Sequence, residues 1–437
     1  MQSETVIGGA APAPTFNEAL KTWLKIGLLS FGGPAGQIAM MHKMLVDEKK
    51  WIDEPRYLSA LNFCMLLPGP EAMQLATYVG WRLHGLKGGL AAGLLFVLPG
   101  ALVVLVLSML YAAFGKLPLA EALFVGIKAA VLAIVIEALL RVAKRALKGH
   151  VDWLIAAAAF VGIFSLAIPF PVIVLAAALI GFMRGVGKPG PAAAPVAAVP
   201  LAATMQTTAI WLAIWVLPLL AIVLLFGSQH VLSQLAWFFS KLAVVTFGGA
   251  YAVLAYMAQD VVQFYKWLQP GEMLDGLGLA ETTPGPLILV TEFVGYLAAH
   301  RQGGGAPVLM GILGAVVVLW ATFAPCFLWI FAAAPYVERL NAEPRLKSAL
   351  AAVTAAVVGV ILNLTVWFAL SVLFGKLSER SLGPLRMLTP DPASIHLPTL
   401  ALSVLAVVLL FVLHRGIITT LGVCGALALG LWLVGVA

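Results

Sequence analysis

Charge is what this sequence lacks most. Only 10% of its 437 residues are Asp, Glu, Lys or Arg, where a soluble domain carries about 25%. With a mean hydropathy of +1.03, that shortfall excludes a water-soluble globular protein and makes the chain an integral membrane protein. Cysteine is scarce as well. Cys64, Cys326 and Cys424 are scattered without metal-ligand spacing, so they read as small apolar packing residues, and neither a metal nor any other cofactor is expected. No basic tract of the nucleic-acid-binding kind is present. The formal charge of +7 sits in loops, where it fits positive-inside anchoring. The apolar–polar alternation of a membrane barrel is missing. Met1 to Asn17 shows no basic region followed by an apolar core and a small-residue cleavage site, so no cleaved signal peptide is expected.

Long apolar runs are what is there. Between charge clusters they fall at about 18–42, 58–84, 88–114, 119–140, 151–168, 170–184, 205–228, 231–258, 274–299, 306–334, 346–374, 397–413 and 415–436, and a helix of roughly 20 residues suffices to span. The expected fold is an all-α polytopic membrane protein of about 10–13 segments. Gly185–Pro200 is proline-rich and no helix crosses it intact. Three parts follow: an N-terminal repeat at 1–184, a linker with a bridging helix at 185–230, and a C-terminal repeat at 231–437.

The two outer parts carry the same signature 216 residues apart. Phe31-Gly32-Gly33 returns as Phe247-Gly248-Gly249, and Pro68-Gly69-Pro70 as Pro284-Gly285-Pro286. Lys25, Trp51 and His84 return as Lys241, Trp267 and His300. What repeats is Gly, Pro, Lys, Trp and His rather than apolar filler, and duplicated halves with broken apolar segments mark secondary transporters. Basic residues Lys43, Lys49, Lys50 and Arg56 precede the Pro-Gly-Pro segment, and Arg141, Lys144, Arg145 and Lys148 follow three runs later. Both clusters share a side if the Pro-Gly-Pro segment enters and returns without crossing. With the Phe-Gly-Gly segment doing the same, an odd number of crossings separates the halves, and the second half is an inverted repeat. Lys376, Arg380 and Arg386 run against that orientation.

A helix restarting after such a break aims its positive dipole end and free N–H groups into the gap, and proline at a first turn costs no hydrogen bond. Four helix ends converging near the midplane make a site for a small multi-oxygen anion. Its candidate residues are Lys25, Ser30, Gly32, Gly33, Gln37, Pro68, Gly69, Glu71 and Gln74 in the first half, with Lys241, Thr246, Gly248, Gly249, Thr283 and Gly285 in the second. For the glycines and prolines the plainer reading is packing and kinking, which pairing at one offset disfavours. For Lys25 and Lys241, countercharge and interfacial snorkelling stand level. Ionisable groups at membrane depth mark ion paths, so Glu71 or Glu292 is the candidate proton carrier; Glu137 reads as the i,i+4 partner of Arg141.

The stretch Ser30-Phe-Gly-Gly-Pro-Ala-Gly-Gln-Ile-Ala, together with Asn62 to Gly80 and Leu95-Phe-Val-Leu-Pro99, resembles the chromate ion transporter family. The second copy, Thr246-Phe-Gly-Gly-Ala-Tyr with Thr283-Pro-Gly-Pro and Phe293-Val-Gly-Tyr, is similar to that family's long, two-domain form. The resemblance implies multi-pass insertion in the inner membrane, chromate export driven by the proton gradient, chromate resistance, and sulfate as competitor. It places the pathway at Ser30–Gln37, Pro68–Gln74, Thr246–Gly249 and Thr283–Pro286. The second half departs at Ala250, Val253 and Leu287, where the first has Pro34, Gln37 and Glu71, so the halves contribute unequally. The expected partners are the oxyanion and the bilayer, not nucleic acid, and a homodimer is left open. Two alternatives remain: a sulfate or other oxyanion transporter, and a lipid-phosphate enzyme. The enzyme is disfavoured because His42, His84 and His300 lie in separate elements with no Arg-rich phosphate motif.

Overall fold

The computed structural model describes residues 14–31, 33–187, 200–247, 250–383 and 385–435. Gly32, Gly248, Gly249 and most of the 185–200 linker lie outside them. The described residues are helical throughout, apart from a short antiparallel hairpin, Leu377–Leu382 with Leu385–Pro390, closed by a Phe374–Ile395 bridge.

Helix α1 (Phe16–Leu29) begins where Thr15 accepts the Glu18 N–H, and ends at Ser30. α2 (Gly33–His42) then restarts from Gly33, whose φ is +72°, and runs into a π-helical turn at Lys43–Glu48. Lys49 reaches back to Glu18 at 2.8 Å, so the two arms form a V. The 14 residues of α1 measure about 21 Å, short of the roughly 30 Å hydrocarbon core. A second V follows. α3 (Glu54–Cys64), capped by Asp53, turns through Pro68-Gly69-Pro70 into α4 (Glu71–Phe114). The rings of Phe63 and Tyr78 lie 5.8 Å apart, which requires the chain to reverse.

α4 breaks once more, at His84 and Gly85. Residues 71–83 lie antiparallel on 86–114, so closely that a Cβ on Gly80 would stand 2.4 Å from the Gly88 carbonyl oxygen. The long second arm spans, and α5 (Pro118–Ala146) returns beside it. α6 (His150–Phe164) and α7 (Phe170–Arg184) close the half as a hairpin tied by Asp152–Arg184 at 3.2 Å. α8 (Leu201–Phe226) bridges to the second half.

The second half repeats the first: α9 (Val231–Val245), α10 (Ala250–Gln259), α11 (Pro270–Thr282), α12 (Val290–Gln302), α13 (Pro307–Ala333), α14 (Val337–Ala342), α15 (Pro344–Leu373), α16 (Leu397–Val407) and α17 (Ile417–Leu433). The copying extends to single backbone bonds. Lys50 and Lys266 are both left-handed, at φ +54° and +52°. The N–H groups of Trp51 and Trp267 bond Leu45 and Val261 at 2.8 and 2.9 Å. The α6–α7 turn, with Ala167 at φ +50°, matches the α16–α17 turn, with His414 at +49°. There the offset is 247, so the second half carries 31 extra residues upstream of that turn, the β-hairpin among them.

The terminal hairpins are exchanged between the halves. α6 and α7 pack on α15, and α16 and α17 pack on α5. Glycines make these crossings close: a Cβ on Gly359 would meet the Ala156 carbonyl oxygen at 2.1 Å, and one on Gly126 that of Cys424 at 2.2 Å.

α4 also separates two ends of the molecule. At its break, His84 Nε2 meets the Pro14 carbonyl at 2.8 Å, and this end gathers Arg145, Lys148, Arg184 and Arg345. At the far end of its second arm, Tyr111 donates to Asp275 Oδ2 at 2.7 Å, Lys128 pairs with Asp275 at 3.0 Å, and Arg301 forks onto Glu272 at 2.7 and 2.8 Å. Five helices, α4, α5, α8, α13 and α15, are long and apolar enough to cross a membrane.

Gly359→Val forces overpacking of about 1–3 kcal/mol at the α6–α15 crossing. The purified protein should melt several degrees lower, whereas Gly422→Ala, whose Cβ would meet nothing within 4 Å, should leave the melting temperature unchanged or raised.

Candidate functional site

The tips of the four V-shaped hairpins meet, and they do so reciprocally. The Gly69 N–H donates to the Thr246 carbonyl at 2.8 Å, and the Gly285 N–H donates to the Ser30 carbonyl at 2.8 Å. Each Pro-Gly-Pro tip thus ends on the hydroxyl-bearing tip of the other half. Both hydroxyls turn inward on their own helices: Ser30 Oγ donates to the Ile26 carbonyl at 2.7 Å and Thr246 Oγ1 to the Leu242 carbonyl at 2.6 Å. Both residues are fully buried.

This geometry revises the free-donor picture. The N–H groups of Gly69 and Gly285 do not face an open gap, because each satisfies a helix-terminal carbonyl across the junction. Gln37 adds a first-half clamp, its Nε2 donating to the Gly285 carbonyl at 2.6 Å and to that of Ser30 at 3.3 Å. Gln74 Nε2 donates to the Pro68 carbonyl at 2.7 Å. Among the described residues the buried Oε1 atoms of Gln37 and Gln74 have no hydrogen-bond partner. Thr283 Oγ1 donates to the Ala280 carbonyl at 3.2 Å. Cys326 closes the tip, since a Cβ on Gly69 would stand 3.0 Å from its Sγ.

Beside the tips lies a cavity of about 150 Å³, lined by Pro34 at the start of α2, Gly69 and Glu71 at the start of α4, and Cys64, Arg141 and Arg145. Two helix N-termini and two arginines therefore face one space, and each contributes positive potential. Arg145 Nη2 lies 3.2 Å from Met65 Sδ, and Arg141 pairs with Glu137 as the i,i+4 spacing predicts. Arg141 also lines a more open space of about 500 Å³ with Phe31, Glu137, Glu281, His414 and Arg415. The two spaces share this side chain and lie toward the arginine-rich end of α5.

Ser30, Gln37, Pro68, Gly69, Gln74, Thr246 and Gly285 are brought together at the junction, and Glu71 stands at the cavity. Gly33 starts α2. Lys25 is elsewhere, exposed on α1. Lys241 is half-buried, its ammonium 5.4 Å from the Tyr256 ring centre and 5.6 Å from that of Phe238. Glu292 is 1% exposed on α12, with Oε2 unpartnered among the described residues.

Sequence reading missed Arg141 and Arg145 as site residues because charges at a helix end look like loop anchors. The available signal was their i,i+4 spacing, which puts both on one face. A further signal is that Trp367 and Ser371, uncharged, occupy the equivalent second-half positions, counted from the prolines that start α5 and α15.

Comparison with known proteins agrees with the duplicated architecture. A family model described as chromate transporter matches residues 18–182 and again 233–431. A chromate transport protein of Pseudomonas aeruginosa is 34% identical over 359 residues, covering 80% of this chain and 81% of that protein. One from Cupriavidus metallidurans is 31% identical over 379 residues, covering 82% and 84%. An uncharacterized transporter of Methanocaldococcus jannaschii is 28% identical over 370 residues, covering 82% and 86%. No solved structure matches. The chain belongs to the chromate transporter family; it is a multi-pass membrane transport protein of two homologous halves, not an enzyme.

Gln37→Leu leaves the Gly285 carbonyl without its shortest side-chain donor. The expected cost is about 1–3 kcal/mol, read as a lower melting temperature of the purified protein. An unchanged melting temperature would show that the clamp adds nothing to the junction.

Proposed function

We propose that this member of the chromate transporter family is a secondary transporter that exports chromate from the cytoplasm across the inner membrane, in exchange for protons, and so confers chromate resistance. The observation that carries this reading is the cavity in which Arg141 and Arg145 face the N-termini of α2 and α4. Arginine presents planar donors suited to a multi-oxygen anion, and the positive ends of the two helix dipoles add to their potential. The curated relatives' name, chromate transport protein, supplies the cargo. Sulfate, a tetrahedral dianion of like shape, is the expected competitor.

The charge distribution supports the outward direction. The cavity and its vestibule lie toward the end of α5 that carries Lys144, Arg145 and Lys148, and the positive-inside rule puts that end in the cytoplasm. The cargo therefore enters from inside. Inversion of the halves is part of the proposal and rests on two supports. The hairpins of the first half root at the break in α4, those of the second at its far end, one full helix away. The V-shaped pairs and the α6–α7 hairpin each contribute an even number of crossings, leaving α4, α5 and α8, an odd number. The cavity lining includes Arg141 and Arg145 but not Lys25, which moves the countercharge role to the arginines. The parts at 1–184, 185–230 and 231–437 are retained as repeat, linker with bridging helix, and repeat. Glu71, beside the anion cavity, and Glu292, buried with an unpartnered oxygen, are the proposed proton carriers.

In inverted membrane vesicles, chromate uptake should require a proton gradient and fall with excess sulfate. Arg145→Gln should reduce uptake about 10-fold or more, the scale of losing a charged donor worth roughly 1.5–3 kcal/mol, whereas Lys25→Gln should change it less than twofold. Gradient-independent uptake would remove the proton from the mechanism. Sulfate uptake without chromate uptake would make sulfate the cargo, and movement of neither would sink the reading.

A further inference from the structure

The two halves build the same turn at the tip of their exchanged hairpins and furnish it differently. In α6–α7 the Leu166 N–H bonds the Val161 carbonyl at 3.3 Å and the Ile168 N–H that of Gly162 at 2.9 Å. In α16–α17 the Leu413 N–H bonds Val408 at 2.9 Å and the Arg415 N–H that of Leu409 at 2.8 Å. The residue between is left-handed in both, Ala167 at φ +50° and His414 at +49°, a conformation costing a non-glycine residue about 1–3 kcal/mol. The backbone shape is thus a shared demand of the fold, met without charge by Ala167-Ile168. His414-Arg415 is an addition that the turn does not need.

Its position supplies the reason. Exchange of the hairpins carries this turn of the second half onto α5 of the first, where His414 and Arg415 line the open space that also contains Phe31, Glu137, Arg141 and Glu281. Arg141 is shared between this space and the inner cavity. His414 and Arg415 are exposed. Among the described residues Arg415 has no carboxylate within ion-pair distance, whereas Arg141 is held by Glu137. The first-half counterpart, Ala167, instead borders a space lined by Gln259, Gln263, Asn363 and Trp367, which has no charged side chain.

Resting on the transport reading above, we propose that His414 and Arg415 form an outer capture site for the oxyanion, one step ahead of the Arg141–Arg145 cavity, to which Arg141 hands the anion on. The site collects anions arriving at the cytoplasmic end, raising their local concentration before they meet the inner cavity. Glu137 competes for Arg141 and keeps it from holding the cargo too long; a carrier needs its ligand bound weakly enough to pass on. The second half, poor in charged cavity residues of its own, thereby contributes to the first half's site.

The test uses the full chain in inverted membrane vesicles, which present the cytoplasmic end outward, with chromate as probe and initial rates measured against concentration. An exposed capture site acts through long-range attraction, so its effect is screened by salt. At about 20 mM salt, Arg415→Gln should raise KM roughly 3-fold or more with Vmax within twofold, and at about 300 mM its KM should converge on that of the wild type. Arg415→Lys should retain most of the low-salt affinity. Lys376→Gln, an equal loss of exposed charge by the β-hairpin, should leave KM unchanged. An unchanged KM for Arg415→Gln, a loss confined to Vmax, or a defect equally large at both salt concentrations would overturn the capture site. Absence of uptake by the wild type would sink the transport reading and this proposal with it.

Discussion

Two backbone hydrogen bonds, Gly69 N–H to the Thr246 carbonyl and Gly285 N–H to the Ser30 carbonyl, are the contacts on which the centre of this molecule depends. A helix that stops inside a membrane leaves N–H and C=O groups with no water to take them, and each orphan costs several kcal/mol. Neither half can satisfy its own tips, because the glycine and proline that break the helix also remove its next partners. Duplication resolves this: each half carries both a spare donor and a spare acceptor, and a twofold arrangement brings unlike ends together. The broken helices are stable as a set of four, and a single half has no comparable arrangement of its own.

The symmetric frame holds an asymmetric site. At the junction, Gln37 and Gln74 have Val253 and Val290 as counterparts; at the cavity, Arg141 and Arg145 have Trp367 and Ser371. The reverse holds at the two cross-half contacts of α3 and α11. Asn341 of α14 donates to the Ser59 carbonyl and hydroxyl at 2.9 and 3.1 Å, whereas Asp275, at the position equivalent to Ser59, takes Lys128 and Tyr111. Asn341 belongs to α14, which has no first-half counterpart, so the two equivalent positions take unlike partners from unlike elements. Backbone demands are shared by the two copies, while side-chain chemistry has diverged.

How much of this could be read from the sequence follows the same division. The residues that break helices are few in kind, and their recurrence at an offset of 216 located all four tips, the restart of α4 after Pro70 and the i,i+4 pairing of Glu137 with Arg141. The destination of the freed N–H groups was not legible, because one chain read in order gives no distance between Gly69 and Thr246. The same limit hid the more open space beside Arg141, whose residues come from α5, α11 and the α16–α17 turn. The second break of α4, at His84-Gly85, falls where the apolar runs 58–84 and 88–114 part. The repeat of the last hairpin was concealed by a shifted offset and by a composition of Ala, Leu and Val that carries no marker. The two readings of Lys25 stand level in the sequence because a lysine five residues before a break points wherever its helix face points, and here that face is exposed.

Exchange of the terminal hairpins imposes an order on biogenesis. α5 is synthesised early, with a small-residue face at Gly126 shaped for the backbone near Cys424, yet α16 and α17 are the last elements to leave the ribosome. Until then that face has only lipid or the insertion machinery to cover it. The first half waits, inserted but unfinished, while the whole of the second is made. α6 and α7 wait likewise for α15. Completion therefore comes nearly all at once and at the end of translation, and chains lost before that point present an open α5 groove by which a membrane quality-control protease can tell an unfinished transporter from a finished one.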